Sequence, residues 1–398
     1  MRTVDAAGLP IGPDHPPRIM GVLNVSEESP YDPSVFADPG DAAAFIDEEL
    51  IAEGADIVDV GLESANKRLD VLSPDEELDR LDVAVEAMES ASGDAVFSIE
   101  TRYHEVADEA LSRGFDMVND VCGFADPELP VVCTDHDAAV VKMASPPDLG
   151  RPGAVDDVDW ASRRSPAWAG DATYVDRVYA ALEAGGFTGK TIVDPAFGGW
   201  SEAKTLEDDR ETFRRLGEFR ALDRPILVSI NRKNFLRKFV DRSTEAALPV
   251  SLGATAMAVE RGADVIRTHD VAATRDAALI AGVFTPDRAS TDGPGPVTVR
   301  EVSADTRREV ARHLDRIGAS VEHAGDGVAH AIEVEGVEPA ARQDLASFAG
   351  DAGVTVADGP DAALLLGSET AFDRLADRLS EQGDEGRAIG DALSRVIE

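Results

Sequence analysis

Short apolar runs alternate with amphipathic segments of helical period from residue 18 to about residue 283, and this alternation limits the possible folds more than any other feature of the chain. Each run is nearly continuous in apolar residues, a pattern typical of strands in a parallel sheet that helices cover. Several of the helical segments end in Gly, which is a common helix C-cap. The runs predicted as strands are 19–25, 56–61, 96–101, 117–121, 139–143, 191–195, 226–230 and 264–268.

Eight βα units of this length favour an α/β fold in which a (β/α)8 TIM barrel closes on itself, rather than an open doubly wound sheet. No G-x-G-x-x-G turn follows the first strand, which further disfavours a dinucleotide-binding fold. The stretch 145–170 is polar, rich in Pro and weakly periodic, so we expect a long loop near the barrel mouth.

The composition changes after the barrel, so the sequence predicts a barrel over residues 1–283, a linker and a second domain. The linker, 284–297, reads FTPDRASTDGPGPV and is rich in Pro, Gly, Ser and Asp. The second domain, 298–398, is predicted to be small and α/β. Its candidate strands are VTVREV, HAIEVEG, VTVAD and AALLLG, and its candidate helices are DTRREVARHLDRIG and ETAFDRLADRLSEQ. It carries no recognisable catalytic pattern, so its role is left open.

The formal charge of the chain is −39, from 77 acidic and 38 basic residues. Such a charge would repel nucleic acid phosphates and anionic membranes, so neither is expected as a partner. Acidic, lysine-poor proteins suit a cytoplasm of high salt, where screening weakens self-repulsion, and we expect a halophilic source. Only Cys122 and Cys133 are present, which indicates a reducing compartment. With no leader-like or membrane-spanning run, the sequence predicts a soluble cytoplasmic protein.

Polar residues follow almost every predicted strand, at the end where a barrel of this kind has its active site. One such residue alone would be an ordinary turn former, but a whole ring of them predicts a polar pocket. In chain order the residues are Asn24, Glu63, Ser64, Glu100, Thr101, Asn119, Asp120, Lys142, Asp194, Asn231, Arg232, Lys233, Arg267, His269 and Asp270.

The chemistry of this ring suggests a flat heterocycle and an anion as ligands. Asp194 and Asn119 can pair with the donors and acceptors of a heterocycle, and Lys233 adds a donor. Arg267 and His269, two residues apart, could hold an anion near Asn24. The chain has no His cluster, so we expect any metal to be Mg²⁺ bound through a phosphate. Neither Ser64 nor Cys122 has an evident base partner for covalent catalysis.

A known family shows these residues in the same order. The motifs IMGVLNVS, GADIVDVGLES, SIETRYHEVADEAL, NDVCG, VDPAFG, NRKNF and IRTHDV resemble the pterin-binding barrel of the dihydropteroate synthases, here in a haloarchaeal type with a C-terminal extension. The resemblance covers residues 17–283. It implies a transferase of pterin cofactor biosynthesis that condenses 6-hydroxymethyl-7,8-dihydropterin diphosphate with p-aminobenzoate or a related arylamine and releases diphosphate. It also implies Mg²⁺ as cofactor and a homodimer.

The resemblance implies a role for each site residue. Asn24, Arg267 and His269 would hold the diphosphate, with Asn24 as the Mg²⁺ ligand, and these three with Lys233 would be the catalytic residues. The pterin would contact Glu100, Asn119, Asp194, Lys233 and Arg267. The loops on the amine side would contribute Ser64, Ala65, Lys67 and Asn231.

The chain departs from the family pattern mainly on the amine side. Ala65, Asn66 and Lys67 replace the Thr, Arg and Pro of the usual second-strand loop, and Glu100 stands where Asp is usual. Gly199 and Ser201 occupy the places of a Phe and a Lys, and Asn231 that of a Ser. These changes predict a wider and more cationic amine entrance.

Two other functions remain open at this point. A pterin-binding methyltransferase would share the barrel but would not need the anion site at Arg267 and His269, and no D-x-H corrinoid signature occurs at any histidine of the chain. A non-catalytic pterin carrier or regulator would tolerate the altered amine loops.

Overall fold

The computed structural model describes residues 2–26, 34–63, 71–285, 290–292, 298–302, 304–337, 339–359 and 362–397. The chain forms two compact units, residues 1–286 and 287–398. Within the described ranges, no helix is both long enough and apolar enough to cross a bilayer.

The first unit is built on a sheet of eight parallel strands in the order β8-β7-β6-β5-β4-β3-β10-β9. A parallel bridge between Val193 and Ile226 joins the two ends of this order, so the sheet closes into a barrel. The α/β barrel predicted from the sequence is therefore confirmed. Its strands are β3 (Arg18–Asn24), β4 (Ile57–Gly61), β5 (Val96–Thr101), β6 (Met117–Asp120), β7 (Ala139–Met143), β8 (Thr191–Asp194), β9 (Leu227–Val228) and β10 (Val265–Thr268).

Helices follow the strands and cover the outside of the barrel, where the largest apolar cluster lies between strands and helices. Local signals start several of them: Ser73 and Glu76 form a capping box at the second helix, and Pro74 occupies its first turn. The helices are α1 (Pro39–Phe45, continued by a π-helical turn Ile46–Ile51), α2 (Pro74–Ser90), α3 (His104–Ser112), α4 (Leu129–Asp135), α5 (Trp160–Arg163), α6 (Pro166–Asp171), α7 (Tyr174–Glu183), α8 (Leu206–Arg214), α9 (Asn234–Arg237), α10 (Leu248–Glu260) and α11 (Val271–Phe284).

An N-terminal hairpin closes the bottom of the barrel. Its strands β1 (Val4–Ala6) and β2 (Leu9–Ile11) pair antiparallel. Val4, Ala6 and Ile11 are almost fully buried, and they share an apolar cluster with the inward side chains at the N-terminal ends of the barrel strands, such as Met20. The barrel interior is therefore apolar at this end, which leaves the C-terminal ends of the strands for polar chemistry.

The expectation of a long loop over 145–170 is wrong in part. The segment contains a 3₁₀ turn at Val155–Asp157 and the short helices α5 and α6. Asp159 and Ser165 cap these two helices by accepting hydrogen bonds from backbone N–H groups. Helices this short have too few residues to show an amphipathic period, which is why the sequence pattern predicted a loop.

The second unit has a three-stranded antiparallel sheet in the order β13-β15-β14 and four helices among its described residues. Its apolar core includes Leu365 and Phe372, both fully buried. Its elements are β11 (Ser290–Asp292), β12 (Thr298–Arg300), α12 (Arg307–Arg316), β13 (Ala329–Glu335), α13 (Pro339–Ala352), β14 (Thr355–Asp358), β15 (Ala362–Ser368), α14 (Glu369–Ser380) and α15 (Gly383–Ile397).

Candidate active site

Polar side chains replace apolar ones inside the barrel towards the C-terminal ends of the strands. Because successive side chains of a strand point to opposite faces, the residues two positions beyond the apolar floor also point inward. On β4, Ile57 belongs to the apolar floor and Asp59 lies above it. The same step along other strands brings in Ser98 and Glu100, Asn119, Asp194 and Arg267.

Arg267 is held by two carboxylates on neighbouring strands. Its Nε donates to Asp59 Oδ2 at 2.8 Å, and its Nη2 donates to Glu100 Oε2 at 2.6 Å. Burial raises the pKa of Glu100 to about 7. The positive charge of Arg267 lowers this pKa, and the negative charge of Asp59 raises it. These contacts leave Nη1 of Arg267 as the edge of the guanidinium that can serve a ligand.

Asn119 is oriented by the same carboxylates. Its Nδ2 donates to Asp59 Oδ2 at 2.9 Å and lies 3.5 Å from Glu100 Oε2. Asp59 also accepts a hydrogen bond from Ser98 Oγ at 2.7 Å. With its nitrogen engaged, Asn119 can offer its oxygen as an acceptor to a bound molecule.

Asp194 and Lys233 lie on the other side of the barrel interior. Burial raises the pKa of Asp194 to about 6, against the lowering effect of the backbone N–H of Ala196, which donates to its Oδ1 at 2.8 Å. Burial and then Arg267 lower the pKa of Lys233. Gly198 has φ of +119°, and a Cβ at this position would lie 3.2 Å from Lys233 Nζ, so the turn after Asp194 fits closely against the ammonium.

A buried ion pair supports this turn. Lys204 Nζ lies 2.7 Å from Asp209 Oδ1 and donates to the carbonyl oxygen of Ala196 at 2.7 Å. Asp209 in turn accepts a hydrogen bond from the backbone N–H of Gly198 at 3.1 Å. The pair therefore fixes the backbone that follows Asp194.

A cavity of about 190 Å³ opens beside Arg267 and is rich in cations. His269 lines it, and burial, followed by Arg267 and Lys233, lowers the pKa of this imidazole to about 3. The ring is therefore neutral at physiological pH and can act as a hydrogen-bond donor rather than as a cation. The lining residues are Val22, Ser229, Asn231, Arg232, Lys233, Thr244, Arg267, Thr268 and His269.

Asn24 is connected to His269 through one hydroxyl group. Asn24 Nδ2 donates to Ser34 Oγ at 3.1 Å, and Ser34 Oγ lies 3.3 Å from His269 Nδ1. With its nitrogen used in this way, Asn24 retains its Oδ1, an oxygen of the kind that Mg²⁺ prefers. That oxygen would lie 2.9 Å from a Cβ at Gly61, so only glycine leaves it room.

Asn231 and Arg232 are bound to Asp270 at the rim of the cavity. Arg232 makes a two-point ion pair with Asp270, with nitrogen–oxygen distances of 2.8 and 2.7 Å. Asn231 Nδ2 donates to Asp270 Oδ2 at 2.8 Å, and its buried Oδ1 has no hydrogen-bond partner among the described residues. Asn231 thus lies in the same cavity as Arg267 and His269.

The structure brings most of the predicted ring together, but Thr101, Asp120 and Lys142 are corrections. Thr101 Oγ1 donates to Glu77 on α2, and Asp120 accepts hydrogen bonds from the backbone N–H groups of Cys122 and Phe124, so both point away from the barrel interior. Lys142 Nζ donates to the carbonyl oxygens of Ala184 and Gly186 at 2.5 and 2.8 Å, beyond the end of α7, and the residue is fully buried. It therefore points away from the barrel interior, because Val141 on the same strand points inward. Ser64, Ala65 and Lys67 lie outside the described residues.

Sequence reasoning missed four residues that complete the site: Asp59, Ser34, Trp200 and Lys204. Asp59 had a visible signal, a carboxylate in the middle of the apolar run IVDV. The Trp200 ring lies 5.9 Å from Lys233 Nζ, and Lys204 is buried beside Asp209. These two lie on an irregular turn, where the sequence does not tell which side chains face inward.

Comparison with known proteins agrees with this geometry. The family model described as pterin binding enzyme matches residues 20–269. A probable bifunctional folylpolyglutamate synthase/dihydropteroate synthase of Halobacterium salinarum is 34% identical over 253 residues, which are 64% of this chain and 30% of that protein. The dihydropteroate synthase of Bacillus subtilis is 29% identical over 254 residues, 64% of this chain and 83% of that protein. The chain thus spans less than a third of the length of the Halobacterium relative.

Solved structures give the same result. The dihydropteroate synthase of Coxiella burnetii in complex with pteroic acid aligns with a TM-score of 0.56 and 28% identity, over 71% of this chain and 98% of that one. The Thermus thermophilus dihydropteroate synthase in complex with 4-aminobenzoate aligns with a TM-score of 0.54 and 30% identity, over 71% of this chain and all of that one.

Proposed function

The chain belongs to the pterin-binding enzyme family, and on this basis we propose that it is a transferase of the dihydropteroate synthase type. It would condense 6-hydroxymethyl-7,8-dihydropterin diphosphate with p-aminobenzoate or a related arylamine and release diphosphate. The main support for this proposal is that hydrogen-bond acceptors suited to a heterocycle and donors suited to a diphosphate lie side by side at the mouth of the barrel.

The pterin would occupy the acceptor side. Asp194 can accept hydrogen bonds from the amino group and a ring N–H, while Asn119 offers its oxygen and Lys233 a donor for a ring acceptor. Glu100 would act mainly through Arg267, which it holds at 2.6 Å, so that the guanidinium plane lies beside the ring. The proposal assigns Glu100, Asn119, Asp194, Lys233 and Arg267 to the pterin.

The diphosphate would occupy the cationic cavity. Nη1 of Arg267 and the neutral imidazole of His269 would donate hydrogen bonds to its oxygens. Asn24 fits Mg²⁺ as a single oxygen ligand, and this ion is commonly held by one or two protein oxygens together with substrate phosphates. Mg²⁺, when bound, would neutralise part of the diphosphate charge.

The reaction needs one bond broken and one formed at the pterin methylene carbon. The carbon–oxygen bond to diphosphate breaks and its electron pair leaves with the diphosphate, where Arg267, His269 and Lys233 stabilise the developing charge. The arylamine nitrogen attacks the same carbon and loses one proton to solvent. The protein contributes charge stabilisation and positioning, and no covalent intermediate with a side chain is needed.

The identity of the amine is the open part of this proposal. Ala65, Lys67 and Asn231 replace residues of the usual amine slot and favour a wider entrance, in which Lys67 supplies a cation where Asn66 replaces the usual loop arginine. Trp200, next to the substituted Gly199, provides an aromatic ring near Lys233 that can restore one wall of the slot. We therefore expect a bulkier or more anionic aminobenzoate to be used at least as well as p-aminobenzoate, and sulfonamides to inhibit weakly.

The test is a steady-state assay of diphosphate release in high salt, with pterin diphosphate, Mg²⁺ and a series of arylamines. Release that requires both substrates supports the transferase. Binding of the pterin diphosphate by calorimetry without any release would instead indicate a carrier or regulator. Tight binding of a pterin lacking phosphate, with no gain from the diphosphate, would favour the methyltransferase class. A strict preference for p-aminobenzoate with micromolar sulfonamide inhibition would refute the wide-slot part alone.

We also propose that the protein forms a homodimer, with a contact on the outer face of α10 and α11. Met257, Ile280 and Val283 are exposed there, the last at 77%. Apolar residues grouped on the surface of a chain with a net charge of −39 are unfavourable in water, and such groups commonly mark protein–protein contacts. Light scattering in high salt tests this: the native chain should be dimeric and a Val283→Asp variant monomeric.

The domain of residues 298–398 is proposed to be an accessory unit.

A further inference from the structure

A buried glutamate, a buried arginine and a second, partly buried glutamate form a cluster at the rim of the barrel mouth, outside the residues assigned above. Arg102 Nη2 lies 2.9 Å from Glu63 Oε2, and the exposed fractions of the two side chains are 3% and 10%. Glu77, on α2, is 1% exposed and accepts a hydrogen bond from Thr101 Oγ1 at 2.5 Å. The carboxyl groups of Glu77 and Glu63 lie within hydrogen-bonding reach of each other.

A hydrogen bond between two carboxyl groups requires that one of them carries a proton. Glu63 has Arg102 as its counter-ion, so Glu63 is the ionised member and Glu77 the protonated one. Burial raises the pKa of Glu77 to about 8. The hydrogen bond from Thr101 lowers this pKa, and the nearby Glu63 raises it further. Among the described residues, Arg102 and Tyr103, both from the turn that follows β5, are further charged or titratable neighbours of Glu77.

The cluster connects the loops that follow three strands. Glu63 comes directly after β4, at the start of the segment that carries Ser64, Ala65 and Lys67. Arg102 follows β5, and its Nη1 donates to the carbonyl oxygen of Leu149, in the loop that follows β7. One guanidinium thus joins the backbone of one mouth loop to the side chain at the start of another.

We propose that Arg102, Glu63 and Glu77 are positioning residues for the amine substrate. They fix the chain at Glu63 and at Leu149 of the loop after β7, and the shared proton of the two glutamates maintains this arrangement. When this proton is lost, two carboxylates face one guanidinium in a buried site, and their repulsion displaces Glu63. The consequence is a loss of amine binding at alkaline pH, without loss of pterin binding.

The experiment compares the native protein with Glu77→Gln, whose amide imitates the protonated carboxyl group: it can donate to Glu63 and accept from Thr101. For the native protein at saturating pterin diphosphate, kcat/KM for the amine should fall up to about tenfold between pH 7 and pH 9, because the protonated fraction of a group of pKa about 8 falls about tenfold over this range. Glu77→Gln should remove this fall. Glu86→Gln, at an exposed position of the same helix, is the matched control and should keep it.

Lys142 has a pKa of about 8 as well, lowered by burial, so the comparison with Glu77→Gln at each pH is needed to isolate Glu77. An equal alkaline fall in the native protein and in Glu77→Gln would overturn the proposal, and so would a change in pterin affinity instead of amine KM. Arg102→Lys, which keeps the charge but not the two-point contact, should raise amine KM at all pH values; an unchanged KM would also count against the proposal.

The kinetic test rests on the proposed function, so a second readout is independent of turnover. At pH 9, peptides covering residues 60–63 and 145–151 should exchange amide hydrogens faster in the native protein than in Glu77→Gln. If no arylamine gives product but this difference is present, the proposed function fails and the positioning cluster stands. If product forms but neither readout differs between the two proteins, the cluster proposal fails and the function stands.

Discussion

At the scale of single residues, the carboxylate of Asp194 is the group whose protonation state should decide pterin affinity. Its unliganded pKa of about 6, raised by burial, means that it is protonated below that pH and ionised above it. Only the ionised form can accept two hydrogen bonds from the donors of a pterin. Pterin affinity should therefore fall as the pH decreases through 6.

Replacing Asp194 by Asn should remove this pH dependence and weaken pterin binding. The amide would place a donor against a donor, at a cost of about 1–3 kcal/mol, or roughly five- to 150-fold in Kd. Calorimetry between pH 5 and 8 measures both effects. An Asp194→Asn variant that keeps the native affinity would remove this residue from the site.

His269 allows a prediction about the anion end. In the unliganded protein its ring is neutral, with a pKa of about 3, so we expect it to bind the diphosphate by donating a hydrogen bond. His269→Ala should weaken the pterin diphosphate by about 1.5–3 kcal/mol, the range for a hydrogen bond to a charged group, and leave the pterin alcohol unchanged. His136→Ala, at a hydrogen bond with Asp108 outside the site, is the control. Equal weakening of both ligands would mean that His269 has only a structural role.

At the scale of elements, Lys142 shows how a strand residue can stabilise a distant helix end. Its ammonium lies between the rings of Phe124 and Phe187, 4.6 and 5.2 Å from their centroids, and binds two carbonyl oxygens after α7. Lys142→Met would leave those carbonyls and the nearby Asp120 without this partner. We expect unfolding free energy to fall by about 1–3 kcal/mol in denaturant titrations. Exposed Lys238→Met should change it by less than about 0.5 kcal/mol, and a similar loss in both variants would contradict this role.

The barrel strands could be predicted from the sequence because their apolar runs are nearly continuous and must be buried on both faces. Elements whose stability comes from contacts with other parts of the chain could not. The helix α15 carries glycines at 383, 386 and 390, which weaken its helical signal. Gly386 and Gly390 are instead explained by packing, because a Cβ there would lie 2.7 and 2.8 Å from backbone oxygens of α14. No local pattern encodes such a contact.

The same distinction applies to the site. Asn24, Asn119, Asp194 and Lys233 end or follow apolar runs, so their positions could be predicted. Lys142 also lies near the end of an apolar run, but its side chain points to the outer face of β7. The sequence does not show which residues of β7 point inward, so this difference could not be predicted. Lys204 reaches the site through an irregular turn, and its role depends on Asp209 five residues later on a helix.

At the scale of the whole molecule, the net charge of −39 should make stability depend on salt. Repulsion among the acidic side chains is screened over about 10 Å at 0.1 M salt and about 3 Å at 1 M, so the folded state should gain stability as KCl increases. Thermal unfolding in about 0.1 M and about 2 M KCl tests this: Tm should rise with salt. An unchanged or lower Tm at high salt would mean that the acidic surface is not an adaptation to salt.

The hairpin that closes the bottom of the barrel has a consequence for the kinetics of the whole enzyme. Because Val4, Ala6 and Ile11 close one end, the polar interior is open only at the C-terminal ends of the strands. Every ligand therefore enters and leaves through that opening. A ligand bound deep at Asp194 must arrive before one that rests at the mouth and must leave after it. Turnover should therefore follow a compulsory order, with the pterin loading first, and an amine that fills the opening should slow the escape of the pterin beneath it.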